Sequence, residues 1–332
     1  MMLICFGTRP EYIKVKPLLK AFDGKIPYKL LFTGQHEDLL SHVKGDIRRL
    51  KIKDGSNRLD SIVGSIMNND EMFNGITSVL VQGDTTSVFS IALAAFHRKI
   101  KVIHLEAGLR TYDLDNPYPE ELNRQMTSRI ADIHLCPTQE AYDNLIRERA
   151  LGQKYVVGNT VLDNLTMLEP EYQDKIIVTM HRRENHHNMD KWFKVIDSLA
   201  KENPQFDFIL PIHPNPNVKK HEHLLKNVNV VPPMDYGSFI EELSTCRFII
   251  TDSGGIQEES SFLRKKCIVC RKTTERIEGM GTFSTLVMKP DDLKDAFEWV
   301  NEDFVPDEEE PCPYGDGKSA DKILNVLQKN EI

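Results

Sequence analysis

Six short polar motifs each follow directly on an apolar run, and that placement is the first sign of chemistry in this 332-residue chain. Gly7-Thr8-Arg9-Pro10-Glu11 follows residues 3–6, Gln82-Gly83-Asp84-Thr85-Thr86 follows 78–81, and Glu106-Ala107-Gly108-Leu109-Arg110 follows 102–105. In the second half, His181-Arg182-Arg183-Glu184-Asn185, His213-Pro214-Asn215-Pro216 and Asp252-Ser253-Gly254-Gly255 stand in the same relation to 176–180, 206–212 and 248–251. Each alone is weak, but charged or glycine-bearing strand ends drawn from two sheets and converging on one cleft describe an active site.

The residue types narrow the chemistry. Asp84, Glu106 and Glu120 are acids on or near strand ends of the first half. Moving a proton at carbon needs positioned acid and base groups. Clustered carboxylates raise one another's pKa, so one can hold a proton while another accepts. The plain alternatives are a helix-start glutamate favoured by the dipole for Glu120 and a helix cap for Asp84. His181 at a strand end can titrate near neutrality; beside phosphates its protonated form is favoured, ready to protonate a leaving phosphate oxygen. His213 either binds phosphate or fills a loop, and His186-His187 reads as a polar loop with no role.

Ser253-Gly254-Gly255 reads as a strand-to-helix turn. Its glycines let backbone approach a ligand, and the helix start offers N–H groups to a phosphate; the plain alternative is a tight turn capped by Ser253. Glu259, one turn further, is placed to accept both hydroxyls of a ribose, and a diphosphate beside a ribose means a nucleotide. Arg9 and Lys14 flank the first turn, Arg suited to bidentate oxygen ligands and Lys to a point charge. Arg9 is the less ordinary, because a cation near a helix start is unfavourable.

Other classes lose support. There is no G-x-G-x-x-G after the first strand and no P-loop lysine motif, which leaves nicotinamide cofactors and triphosphate hydrolysis unsupported. No metal-ligand spacing appears. A formal net charge of −8 argues against bulk nucleic-acid binding. No apolar run approaches the ~20 residues of a membrane helix. Residues 1–6 read as a strand and not a signal peptide, so the cytoplasm is the expected compartment. The six cysteines are scattered, as in a reduced protein, and Cys267 and Cys270, though spaced C-x-x-C, lie in a strand-like run.

The elements that must position these residues alternate from the start. Strands are predicted at 3–6, 28–32, 78–81, 102–105, 133–136 and 155–157, with helices opening near Pro10 and spanning about 85–97 and 120–130. A polar stretch at 169–174 breaks the pattern and is a candidate hinge. Strands then return at 176–179, 206–212, 228–231, 247–251 and 267–270, with helices near 190–201, 239–244 and 256–263. Residues 306–313 read as a solvated acidic connector, before an amphipathic helix carrying Ile323, Leu324 and Leu327. Short apolar strands separated by helices imply parallel, doubly wound sheets. The fold class is α/β, with an N-terminal Rossmann-like domain over 1–168 and a C-terminal one over 169–317.

The motif series GTRPE, QGDTTS, HLEAGLRT, PYPEELNR, GNTVLDNL, HRREN, HPNPNV, TDSGGIQEE and TTER runs in one order over residues 6–276. In this it closely resembles the non-hydrolysing UDP-N-acetylglucosamine 2-epimerases. The resemblance implies a glycosyltransferase-B architecture, with the C-terminal helix, about 318–332, packing back on the first domain. It implies interconversion of UDP-N-acetylglucosamine and UDP-N-acetylmannosamine through UDP elimination to 2-acetamidoglucal and re-addition, without metal or redox cofactor. Asp84, Glu106, Glu120 and His181 match the family's catalytic positions, the acids for the carbon-2 proton and His181 for the diphosphate. Arg9, Lys14, His213, Ser253, Gly254, Gly255, Glu259 and Arg276 match UDP-sugar contacts, and Met234 and Phe239 fall where uracil is held. Gln35 and His36 match a regulatory Gln-His motif, although Asp38 stands where regulated members carry a second glutamine. The chain also departs from the family at Ile277 after Arg276, in the loop Gly279-Met280-Gly281 and at His186–Asp190. A homodimer is the implied assembly. The alternatives are a hydrolysing relative that releases N-acetylmannosamine and UDP, and a transferase of the same fold.

Overall fold

Met2–Phe6 (β1) is apolar at every position because both of its faces are covered. Met2, Ile4 and Phe6 point into one cluster with Val15, Leu18 and Phe22, while Leu3 and Cys5 point into another with Ile91 and Ala95. That alternation is the two-residue period of a strand. The helix that follows, Arg9–Phe22 (α1), starts where it does because Thr8 and Glu11 form a reciprocal capping box and Pro10 sits in the first turn.

The computed structural model describes residues 1–34, 43, 47–53 and 55–332. Gln35, His36 and Asp38 lie outside the described residues. The chain divides into two compact units, one of residues 1–164 with 315–332 and one of residues 165–314.

The first unit continues through Tyr28–Phe32 (β2), Ile47–Arg49 (β3), Arg58–Met67 (α2), Ser78–Gln82 (β4), Thr86–His97 (α3), Lys101–Leu105 (β5), Glu120–Ile130 (α4), Ile133–Cys136 (β6), Gln139–Arg147 (α5) and Gln153–Val156 (β7). Among the described residues these strands form a seven-stranded sheet in the order β3-β2-β1-β4-β5-β6-β7. Every pairing is parallel; Leu3, for instance, stands opposite Lys29 on one side and Val79 on the other.

The second unit runs through Lys175–Thr179 (β8), Met189–Glu202 (α6), Asp207–Pro211 (β9), Pro216–Lys219 (α7), Asn229–Val231 (β10), Tyr236–Thr245 (α8), Phe248–Thr251 (β11), Gly254–Phe262 (α9), Cys267–Val269 (β12), Ser284–Leu286 (β13) and Leu293–Glu302 (α10). Its parallel sheet has the order β10-β9-β8-β11-β12-β13. Trp192, Phe193 and Ile196 of α6 pack with Phe208, Phe248 and Phe297 in its core. The chain then returns to the first unit through Ser319–Lys329 (α11), whose Ile323, Leu324 and Leu327 join the cluster of α1. The Asp163 carboxylate accepts the N–H groups of Ser319 and Ala320 at 3.0 and 2.7 Å, satisfying two donors at the start of α11.

The stretch 169–174, the candidate hinge, is anchored on the second unit: the N–H groups of Glu171 and Gln173 donate to the carbonyls of Ser244 and Thr245, and the Tyr172 hydroxyl donates to the Arg264 carbonyl. Satisfying backbone polar groups in this way ties the segment to the second unit. The acidic connector keeps Asp307, Glu308, Glu309 and Glu310 exposed, as expected of a solvated segment, while the Arg264 guanidinium donates to the backbone carbonyls of Pro306, Asp307 and Glu310. Cys267 and Cys270 are buried thiols, and burial pushes both above their usual range.

Candidate functional site

On the first sheet the polar motifs lie at the carboxyl edge, where a strand gives way to a turn. β4 ends at Gln82, Gly83 follows in the left-handed region (φ +81°), and Asp84 comes next. Thr85 caps α3 by accepting the Val88 N–H at 3.4 Å, so the capping role open to Asp84 belongs to its neighbour. Asp84 instead accepts from Arg124 of α4, at 2.8 Å from Nε and 2.7 Å from Nη2. Asn123 donates to the Asp84 carbonyl at 2.9 Å. One turn of α4 therefore grips both the side chain and the backbone of Asp84. The same Arg124 lies 3.4 Å from Glu121, whose side chain is fully buried. Glu121 in turn accepts the N–H groups of Thr111 and Tyr112 and fixes the loop leading to α4.

Breaking this arrangement is expected to be costly. Arg124→Met leaves Glu121 as a buried carboxylate without its cation, a change worth about 3–5 kcal/mol. Urea denaturation reads it; a loss below about 1 kcal/mol would show that Arg124 does not carry the charge of this pair.

Glu106 follows β5 with φ +63°, a conformation an L-residue holds only where its surroundings impose it. Lys14 of α1 donates to its Oε1 at 2.5 Å and Gln82 donates to its Oε2. Gly108, two residues on, has φ +91°, and a Cβ there would lie 2.0 Å from the Ala141 carbonyl oxygen, so glycine is required. Glu120 is the half-buried first residue of α4, and Arg9 is exposed as the first residue of α1. The clustered carboxylates expected from sequence are thus supplemented by cations, Arg124 for Asp84 and Lys14 for Glu106. Glu11 is a fourth acid at this edge, accepting Gly7 N–H at 2.5 Å and Thr8 N–H at 3.1 Å; burial pushes its carboxyl above the usual range.

Beneath Asp84, the imidazole of His104 lies against the Gly83 carbonyl, 2.8 Å from Nε2, and fixes the turn. His134, its neighbour across β5 and β6, contacts the Leu151 carbonyl at 2.7 Å. Burial lowers both pKa values from 6.5 to about 4. The unfolded chain therefore takes up these protons first as pH falls. Stability is lost between about pH 6.5 and 4, on the order of 3 kcal/mol for each imidazole. The urea midpoint is expected to fall over that window, and His104→Gln should flatten the fall; an equally steep fall in the variant would acquit His104.

The second sheet repeats the pattern. His181 follows β8, and its ring stacks on that of His213, which follows β9, with centroids 5.2 Å apart and planes 15° apart. Burial pushes His181 below its ordinary pKa, Asp252 opposes that, and Arg182, His213 and His186 add to it. His213 is also lowered, mainly by desolvation. His186, to which no role was given, contacts the His181 carbonyl at 3.1 Å from Nε2.

Ser253 occupies the cap position of α9, but its hydroxyl makes no capping bond. The glycine at 254 has a steric cause: a Cβ would stand 2.6 Å from Nη1 of Arg276. Arg276 is buried over this helix start, bound through Nε to Glu258 at 2.8 Å and through Nη1 to Glu275 at 2.6 Å. Gly255 is half-buried in the first turn of α9, and Glu259 is buried one turn on, beside the Tyr236 phenol. Met234 lies just before α8 and Phe239 within it, both half-buried.

Sequence reading missed the residues that hold the others: Gln82, Asn123, Arg124, Glu184, Asn185, Asp252 and Glu258. All lie inside motifs already recognisable by position. What was absent was any sign of which residue each would meet.

A family model described as UDP-N-acetylglucosamine 2-epimerase matches residues 20–328. The chain is similar to the UDP-N-acetylglucosamine 2-epimerase of Neisseria meningitidis, 37% identical with 99% of each chain covered. It is also similar to that of Campylobacter jejuni, 35% identical over 99% of this chain and 98% of that one. Its fold superposes on the N. meningitidis UDP-GlcNAc 2-epimerase solved bound to UDP-GlcNAc, with a TM-score of 0.88, 34% identity and 99% and 100% of the two chains covered. MurG of Acinetobacter baumannii, at 12% identity and a TM-score of 0.59 over 99% and 98% of the chains, shares the fold alone. The two-domain α/β architecture of glycosyltransferase-B type is thereby found.

Proposed function

The chain belongs to the UDP-N-acetylglucosamine 2-epimerase family, and from that membership we propose that it interconverts UDP-N-acetylglucosamine and UDP-N-acetylmannosamine by the non-hydrolysing route. One carboxylate among Asp84, Glu106 and Glu120 takes the proton from carbon 2. The C–H electron pair becomes the C1=C2 double bond of 2-acetamidoglucal, and the C1–O bond breaks with its electrons leaving on UDP. Protonation of carbon 2 from the opposite face and return of UDP to carbon 1 give the epimer, so nothing is consumed. His181 steadies or protonates the diphosphate oxygen as it leaves. Ser253, Gly254, Gly255 and Arg276 receive the diphosphate, Glu259 the ribose and Met234 and Phe239 the uracil.

The observation that carries this reading is the mount under the first-unit acids. Asp84 and Glu106 are each fixed by a cation and by a neighbouring amide, Asn123 and Gln82. A carboxylate fixed before the substrate arrives is what proton transfer at carbon requires. UDP-N-acetylglucosamine incubated with the protein in deuterium oxide should give the epimer with deuterium at carbon 2, followed by NMR of the anomeric protons. Free N-acetylmannosamine with UDP would replace this reading by the hydrolysing one.

A homodimer and a cytoplasmic location belong to the same proposal. The dimer is supported by exposed apolar residues just before and along α4, Tyr118, Leu122 and Met126; a monomer mass by light scattering would remove it. The location is supported by six cysteines that form no disulfide. Among the described residues no helix is long and apolar enough to cross a membrane.

A further inference from the structure

The fully buried Asp252 meets more of the His181 loop than any cap or turn requires. Lying just past β11, its carboxylate accepts the His181 N–H at 3.0 Å to each oxygen, the Arg182 N–H at 2.9 Å and the Asn185 side-chain amide at 3.1 Å. Its own N–H donates to the Thr179 carbonyl at 3.1 Å, locking β11 to β8 at the same point. The imidazole edge of His181 faces the same carboxylate, Nδ1 standing 3.6 Å from Oδ1. That separation is too long for a hydrogen bond, but it is short enough for the charge to act, and such contacts tighten when a ligand orders the site. The other ring face is covered by His213.

We propose that Asp252 is the positioning residue for His181: it holds the loop backbone and selects the neutral tautomer protonated at Nδ1, so that the proton the ring takes up and gives back is carried on Nε2, the nitrogen that meets the substrate. A carboxylate behind an imidazole plays this part wherever a histidine must exchange one proton in one direction. The proposal rests on the epimerase reading only for the identity of what Nε2 meets. The groups that face the imidazole are Asp252, which favours the charged ring, and Arg182, His213 and His186, which disfavour it. Removing the Asp252 charge while keeping its shape tips that balance toward the neutral ring.

The test is made on ligand-free protein with nitrogen-15 labelled histidine, so it does not depend on any turnover. In the wild type, the neutral His181 ring should show the Nδ1–H tautomer; a dominant Nε2–H form would overturn the proposal even if no variant folds. In Asp252→Asn the His181 titration midpoint should fall by about one pH unit or more, the size expected for loss of an opposite charge at this range. An unchanged midpoint in a folded variant would reduce Asp252 to a structural clamp. Where turnover is measurable, Asp252→Asn should lower kcat more than it raises KM, and should add little further loss in a His181→Ala background; additive losses would equally count against it. Wild-type protein that passes the tautomer test yet forms no epimer would sink the functional reading and leave this one standing.

Discussion

Replacing His181 with alanine, or Asp84 with asparagine, is expected to cut turnover of UDP-N-acetylglucosamine by a factor of ~100 or more while the fold persists. The reasons differ for the two residues. The Asp84 side chain is 26% exposed and gripped by Arg124, so asparagine keeps its place and loses the carboxyl that, under the proposed route, exchanges a proton. Arg124 retains Glu121 as a partner, which spares the fold. The His181 side chain is 32% exposed and supports no core; its loss removes the group that, under the proposed route, meets the departing diphosphate oxygen. Turnover by NMR, with circular dichroism to confirm folding, checks both. Unchanged turnover in either variant would take that residue out of the mechanism.

Removing α11 is expected to unfold the first unit. Ile323 and Leu327 are fully buried and Leu324 nearly so, all within the cluster that also contains Val15, Leu18 and Phe22 of α1. At ~1.5–3 kcal/mol for each buried aliphatic side chain, the three together approach the ~5–15 kcal/mol by which an ordinary domain is stable. A chain ending at residue 318 should therefore lose its cooperative unfolding transition. The point substitution Ile323→Ala is gentler and should cost about 2–5 kcal/mol, by lost burial and a residual cavity. A urea midpoint within error of the wild type would mean that α11 does not support this core.

The interior strands were legible because parallel strands covered on both faces leave continuous apolar runs. Residues 133–136 and the helix 120–130 were placed at their observed bounds. β3 and β13 escaped notice for the converse reason. Ile47-Arg48-Arg49 and Ser284-Thr285-Leu286 lie at sheet edges and are three residues long, with polar or half-exposed side chains. Helices α2, α5 and α10 were not read either. α5, QEAYDNLIR, buries only Ala141, Asn144 and Leu145, a stripe too narrow to stand out beside its charges.

The candidate site divides along the same line. Strand period and turn chemistry are local, so sequence alone determined that Asp84, Glu106, His181, His213 and Ser253 come just after strands, and that Gly254 opens a helix. Which groups stand against them was decided by tertiary structure. Lys14 and Glu106 are 92 residues apart, Asp84 and Arg124 are 40 apart, and His181 and Asp252 are 71 apart. Each pair meets because separate strand–helix units are laid side by side in a parallel sheet. Nothing in the spacing of either partner encodes that register, yet it settles which carboxylate carries a cation and which nitrogen of His181 faces a charge.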